Sequence, residues 1–129
     1  MWFYNAILIL GLNVIFSENP KIDCGYIQEI GGCYKNGVII IGYKNPDETL
    51  YHELGHALFF HNNEVKNVIK KYPQPNPYNR EIYGTEEEIL NENVADYLVL
   101  YRYNPNSLKE FYPEIYNLFE NNLKQYVDI

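Results

Sequence analysis

Histidine, methionine and tryptophan are all scarce in this chain of 129 residues, which has three histidines, one methionine and one tryptophan. Basic residues are few as well. Ten Lys and Arg stand against 17 Asp and Glu, for a net charge of −7 and a pI near 4.9. A nucleic-acid partner is therefore not expected, because phosphate binding needs clustered cations. The densest basic pair, Lys70-Lys71, reads as a solvated helix end. Only two cysteines are present, Cys24 and Cys33. They could pair across neighbouring strands, but they read rather as reduced core thiols, and two such residues alone do not make a zinc site. The uncharged run at residues 1–16 is shorter than the roughly 20 residues that span a bilayer. It lacks a basic leader and is followed by no small-residue cleavage site. It is read as a buried helix ended by Gly11, then a strand through Val14-Ile15-Phe16. Neither a membrane partner nor secretion follows, and a cytoplasmic location is expected.

No internal repeat or low-complexity segment is visible. At 47% hydrophobic and 21% charged residues, the composition is that of a globular protein, and residues 1–129 fit one domain. Fourteen tyrosines supply amphipathic rings for a core, a groove or both. Tyr26-Ile27-Gln28-Glu29-Ile30 reads as a strand, and Lys35-Asn36-Gly37 as a tight turn into the β-branched strand Val38-Ile39-Ile40-Ile41. Asn45-Pro46-Asp47-Glu48 is a helix start, with Asn as cap and Pro at the first position. That helix is predicted to run to about Phe60 or His61, followed by a shorter one over about 64–72. The proline-rich stretch 73–80 is expected to be a mobile loop. Thr85-Glu86-Glu87-Glu88 forms a capping box for a helix lasting to about Tyr103, stopped at Asn104-Pro105. After Pro113 an amphipathic helix places Ile115, Leu118, Phe119, Leu123, Tyr126 and Val127 on one face. The expected fold is α+β. A three- or four-stranded, mostly antiparallel sheet lies beside an active-site helix, a glutamate helix and a C-terminal helix.

The chemistry concentrates in His52-Glu53-Leu54-Gly55-His56. Histidines four apart on a helix share a face, about 6 Å apart, so two imidazoles can converge on one metal ion. Glu53 projects beside that ion, where a carboxylate can take a proton from bound water. A helix with two surface histidines is the competing structural reading. A catalytic zinc needs a third protein ligand and an open position. His61 falls about 180° away from His52 round a continuous helix and lacks the flanking pattern of a third histidine ligand. It reads as a helix-end residue facing the C-terminal dipole. Glu92, in Asn91-Glu92-Asn93-Val94-Ala95-Asp96, is the better candidate. A second helix here carries two carboxylates on one face, beside apolar Val94, Ala95 and Leu98. Glu92 could reach the metal while Asp96 accepts the free N–H of a ligating histidine. The reverse remains open, with Asp96 as ligand and Glu92 outside it.

These two motifs together resemble the gluzincins, whose zinc is held by two histidines and a glutamate on a following helix. Given the chain's size, it is most similar to the single-domain minigluzincins. Motif similarity covers roughly residues 38–103. The resemblance implies a small zincin-type catalytic domain holding one Zn2+, with His52, His56 and Glu92 as ligands. It implies Glu53 as catalytic acid/base and Asp96 as support for a histidine, His52 first. Tyr83, beside Gly84 and just before the glutamate helix, is similar in position to a catalytic tyrosine of lethal-factor-like gluzincins, and is the candidate oxyanion donor. The implied activity is endopeptidase cleavage through zinc-bound water. A peptide substrate could add as a strand to Val38, Ile39, Ile40 and Ile41. Latency is implied too, with a terminal segment or a second copy blocking the cleft. The competing functions are a regulatory metallopeptidase-like protein acting on one partner, an interaction module with zinc as a staple, and a non-peptide amide hydrolase.

Overall fold

The computed structural model describes residues 13–17, 32–35, 37–42, 46–77 and 79–123. Three short strands, β1 (Asn13–Ser17), β2 (Gly32–Lys35) and β3 (Val38–Gly42), pair in the order β1-β3-β2. Gly37, at φ 82°, occupies the turn between β2 and β3, a left-handed conformation that glycine adopts without a steric penalty. Six helices follow among the described residues: α1 (Pro46–His61), α2 (Asn63–Ile69), α3 (Asn79–Ile82), α4 (Glu86–Tyr103), α5 (Pro105–Phe111) and α6 (Pro113–Leu123).

The expected α+β domain, built on a three- or four-stranded, mostly antiparallel sheet, is corrected here. The described residues are mostly helical. The strands are only four or five residues long. Their pairing is mixed, since β1 runs parallel to β3 and only β2 runs antiparallel to it. The physical reason lies in where apolar surface is buried. Of the core residues whose burial is described, Ile39 comes from a strand, whereas Leu54, Leu58, Phe59, Val65, Ile69, Val94, Leu98, Leu108, Ile115, Leu118, Phe119 and Leu123 all come from helices. Each such side chain removed from water contributes about 1.5–3 kcal/mol, so helix-on-helix packing dominates. The predicted strand at 26–30, the helix before Gly11 and the Asn45 cap lie outside the described residues, as do Cys24, Tyr126 and Val127.

Local signals set the helix ends. Asn62 is extended (φ −140°, ψ 105°) and its side chain accepts from Val65 N, so one residue separates α1 from α2. Thr85 Oγ1 accepts from Glu88 N at 3.1 Å and donates to Glu88 Oε1 at 3.0 Å, so Thr85 caps α4 as expected and Glu88 reaches back to its hydroxyl. Two elements differ from expectation. Past Pro77 nothing prevents helical φ/ψ, and α3 takes up the last two positions of the predicted loop. Asn104-Pro105 stops α4 as expected, yet Pro105 sits at the start of α5, where proline's missing N–H costs no helix hydrogen bond. On α6, Ile115, Leu118, Phe119 and Leu123 are buried as predicted.

The contact between α1 and α4 positions the site. A Cβ built on Gly55 would lie 2.5 Å from Ala95 Cα and 3.2 Å from both its N and Cβ. Glycine at 55 therefore lets the two backbones approach closely, between His52 and His56 on one helix and between Glu92 and Asp96 on the other. No helix among the described residues is long and apolar enough to cross a membrane.

Candidate metal centre

Leu54, Ala57 and Leu58 anchor one side of α1 in the core. The opposite side turns His52, Glu53 and His56 towards α4. The imidazoles of His52 and His56 lie 4.8 Å apart, ring centroid to ring centroid, and nearly perpendicular. Glu92 enters between them. Its Oε2 lies 3.2 Å from His52 Nε2, and its Oε1 lies 3.2 Å from His56 Nε2. One ligand atom from each of His52, His56 and Glu92 falls within 4.8 Å of the other two. Ligands bonded at about 2.0–2.1 Å to a tetrahedral zinc ion are separated by about 3.3 Å. Each nitrogen–oxygen distance is close to that separation, though the two are made by different Glu92 oxygens.

The electrostatics also fit a cation. Glu53, Glu92 and Asp96 surround the two histidines. In the metal-free chain, protons supply the balancing charge. Burial works against the His52 imidazolium, but hydrogen bonds to Asp96, Glu53 and Glu92 outweigh it and push its pKa up to about 12. His56 is raised in the same way, burial being outweighed by Glu92. Burial opposes the charged form of Glu92, yet the two histidines hold its carboxyl well below the usual range. A divalent cation bound by nitrogens and a carboxylate would take the place of those protons.

His56 Nδ1 is hydrogen-bonded to Asn91 Oδ1 at 2.7 Å. The amide oxygen accepts the Nδ1 proton, which leaves the Nε2 lone pair for a metal and fixes the ring's orientation. Asn91 was missed from the sequence. Its signal was its place directly before Glu92, but the helix pairing that brings it to His56 is tertiary.

Asp96 is close to the histidine it was expected to support, but not at the expected atom. Its Oδ1 is 3.2 Å from His52 Nε2, the nitrogen that also faces Glu92. His52 Nδ1 instead faces Glu53 Oε1 at 3.5 Å. Glu53 is 5% exposed, and its Oε2 has no hydrogen-bond partner among the described residues. A buried carboxylate oxygen left unpaired costs free energy unless a ligand or water completes it. Tyr83 is half-buried; burial first, then the nearby charges of Glu92, Asp96 and Glu53, raise its pKa. His61 is exposed at the last position of α1, outside the group, as its spacing indicated.

The proposed substrate strand is corrected. Val38, Ile39, Ile40 and Ile41 sit in the central strand, paired with β1 on one edge and β2 on the other. Both rows of main-chain hydrogen-bonding groups are engaged, so no peptide can add there.

Comparison with protein families, with curated proteins and with solved structures found no match to this chain.

Proposed function

We propose that the protein is a zinc-dependent endopeptidase of gluzincin type, on the strength of the buried Glu53 carboxylate set beside the His52, His56 and Glu92 group. A zinc ion held by these three side chains would polarise the scissile carbonyl and make water nucleophilic near neutral pH. The chain's own residues supply the rest. Glu53, whose Oε2 has no partner among the described residues, takes a proton from the attacking water and delivers it to the leaving amine. Asn91 holds His56 in the orientation that presents Nε2. Tyr83 stays protonated in its buried, carboxylate-lined position. It is the candidate donor for the developing oxyanion, near enough to Glu92 for that charge to raise its pKa. The expected cytoplasmic location belongs to this proposal as well.

The test is cleavage of casein and of unstructured peptides by zinc-loaded wild type and Glu53→Ala at matched metal content. Loss of about 10²–10⁴-fold in rate with zinc retained is expected for removal of an acid/base group. Equal cleavage by both proteins would overturn the proposal.

A further inference from the structure

A cavity of about 590 Å³ opens between α2, the segment that follows it and the first half of α4. None of His52, Glu53, His56 and Glu92 lines it, although Phe59 and Asn93, which do, stand on the same two helices. Its volume is within the range of clefts that hold small molecules. Phe59, Ile89 and Asn93 are buried and make its inner surface, and partly buried Leu90 lies beside them.

The charge on its wall runs against that of the chain. The protein has ten Lys and Arg against 17 Asp and Glu. Here three cations, Lys66, Lys70 and Arg80, meet two carboxylates, Glu86 and Glu87. Arg80 is taken up by Glu86, Nη1 to Oε1 at 2.7 Å. Lys66 and Lys70 form no ion pair among the described residues, whereas adjacent Lys71 pairs with Glu114 at 2.9 Å. The Lys66 ammonium lies 4.3 Å from the centre of the Phe59 ring, whose face attracts a cation. Lysines four apart on a helix share a side and repel each other. The helix dipole accounts for cations near the end of α2, but not for two of them facing a cavity with an aromatic floor. A bound anion would relieve their repulsion and set its apolar part against Phe59, Ile89 and Leu90. Three cations against two carboxylates leave one positive charge in excess, which suits a single carboxylate and not a polyanion.

We propose that this cavity binds a carboxylate carried on an apolar body, either a free aromatic acid or the C-terminal residue of a peptide. Lys66 and Lys70 hold the carboxylate, and the floor takes the apolar part. The assignment is independent of the zinc reading, since no residue of the metal group takes part.

The probe is a pentapeptide ending in phenylalanine, labelled at its N-terminus with an uncharged dye and followed by fluorescence anisotropy. It is titrated with the full chain as the free acid and as the C-terminal amide. The acid should bind roughly tenfold tighter than the amide or more, as expected for charge-assisted hydrogen bonds, both with and without added zinc. Lys66→Gln/Lys70→Gln should abolish that preference, and Lys70→Gln alone, at an exposed position, should reduce it. Lys71→Gln removes the same charge outside the cavity and should bind as wild type does. Competition with 3-phenylpropionate separates the two sources, and each outcome is compatible with a carboxylate site. Displacement assigns it to free acids as well, and failure to displace restricts it to peptide ends. Equal affinity for acid and amide would overturn the proposal, as would no binding of either at millimolar protein. Acid binding that appears only with zinc, or an equal effect of Lys71→Gln and Lys70→Gln, would overturn it too.

Discussion

Gly55→Ala is the smallest change that probes how the fold makes the site. The added Cβ would lie 2.5 Å from Ala95 Cα and 3.2 Å from Ala95 Cβ. Carbon atoms in contact prefer about 3.5–4.0 Å. The shortfall is about 1 Å and the obstacle is backbone, so α1 and α4 must move apart or slide. Over-packing of this kind costs about 1–3 kcal/mol. Alanine's better helix propensity returns about 1 kcal/mol, so the metal-free protein should lose no more than about 2 kcal/mol. The site should suffer more. His52 and His56 ride on α1 and Glu92 rides on α4, with nitrogen–oxygen separations of 3.2 Å. Opening these to about 4 Å exceeds what bonds of about 2.0 Å allow in a tetrahedral site. Zinc affinity, read by competition with a chromophoric chelator, should fall at least tenfold. Gly84→Ala, at a position with nothing within 4 Å of the new Cβ, should leave affinity unchanged. Wild-type affinity in Gly55→Ala would refute the idea that close helix approach sets the ligand geometry.

Two further outcomes are expected. Asn91→Ala removes the acceptor on His56 Nδ1 and should weaken zinc binding by about 10–100-fold with little change in helix content by circular dichroism; unchanged affinity would show that His56 does not need it. Because the folded-state pKa of His52 is raised to about 12 and that of His56 is raised too, metal-free protein at pH 7 holds protons that zinc must expel. Calorimetry in two buffers of different ionisation enthalpy should therefore show net proton release on zinc binding. The sign for stability follows from the same shift. The histidines' contribution in the metal-free protein is fully present below their unfolded pKa of about 6.5 and is lost as pH rises towards the folded value. Melting temperature of the chelated protein should fall between pH 7 and 9, and a rise would contradict the assignment.

Local signals were legible in the sequence and non-local ones were not. Pro46, the Thr85 box, Asn104-Pro105 and Pro113 mark helix ends through backbone chemistry that acts within one turn. The same is true of His52 and His56, whose common face follows from helical periodicity alone. Glu92 was found because its helix also looked buried. Asn91 and the atom that Asp96 faces depend on how α1 and α4 meet, which no local pattern encodes. Strand order is likewise non-local. Val38-Ile39-Ile40-Ile41 has the composition of an edge or a central strand, and only the pairing with β1 and β2 decides. Asn104-Pro105 was read as a stop, although the same proline also begins α5.

X-ray absorption at the zinc edge of the purified, zinc-loaded protein tests the central claim most directly. One zinc per chain with two imidazoles and only oxygen besides, and loss of one histidine signal in His56→Ala, is the predicted result. Sulfur in the shell, or an unchanged spectrum in His56→Ala, would contradict a site made by His52, His56 and Glu92.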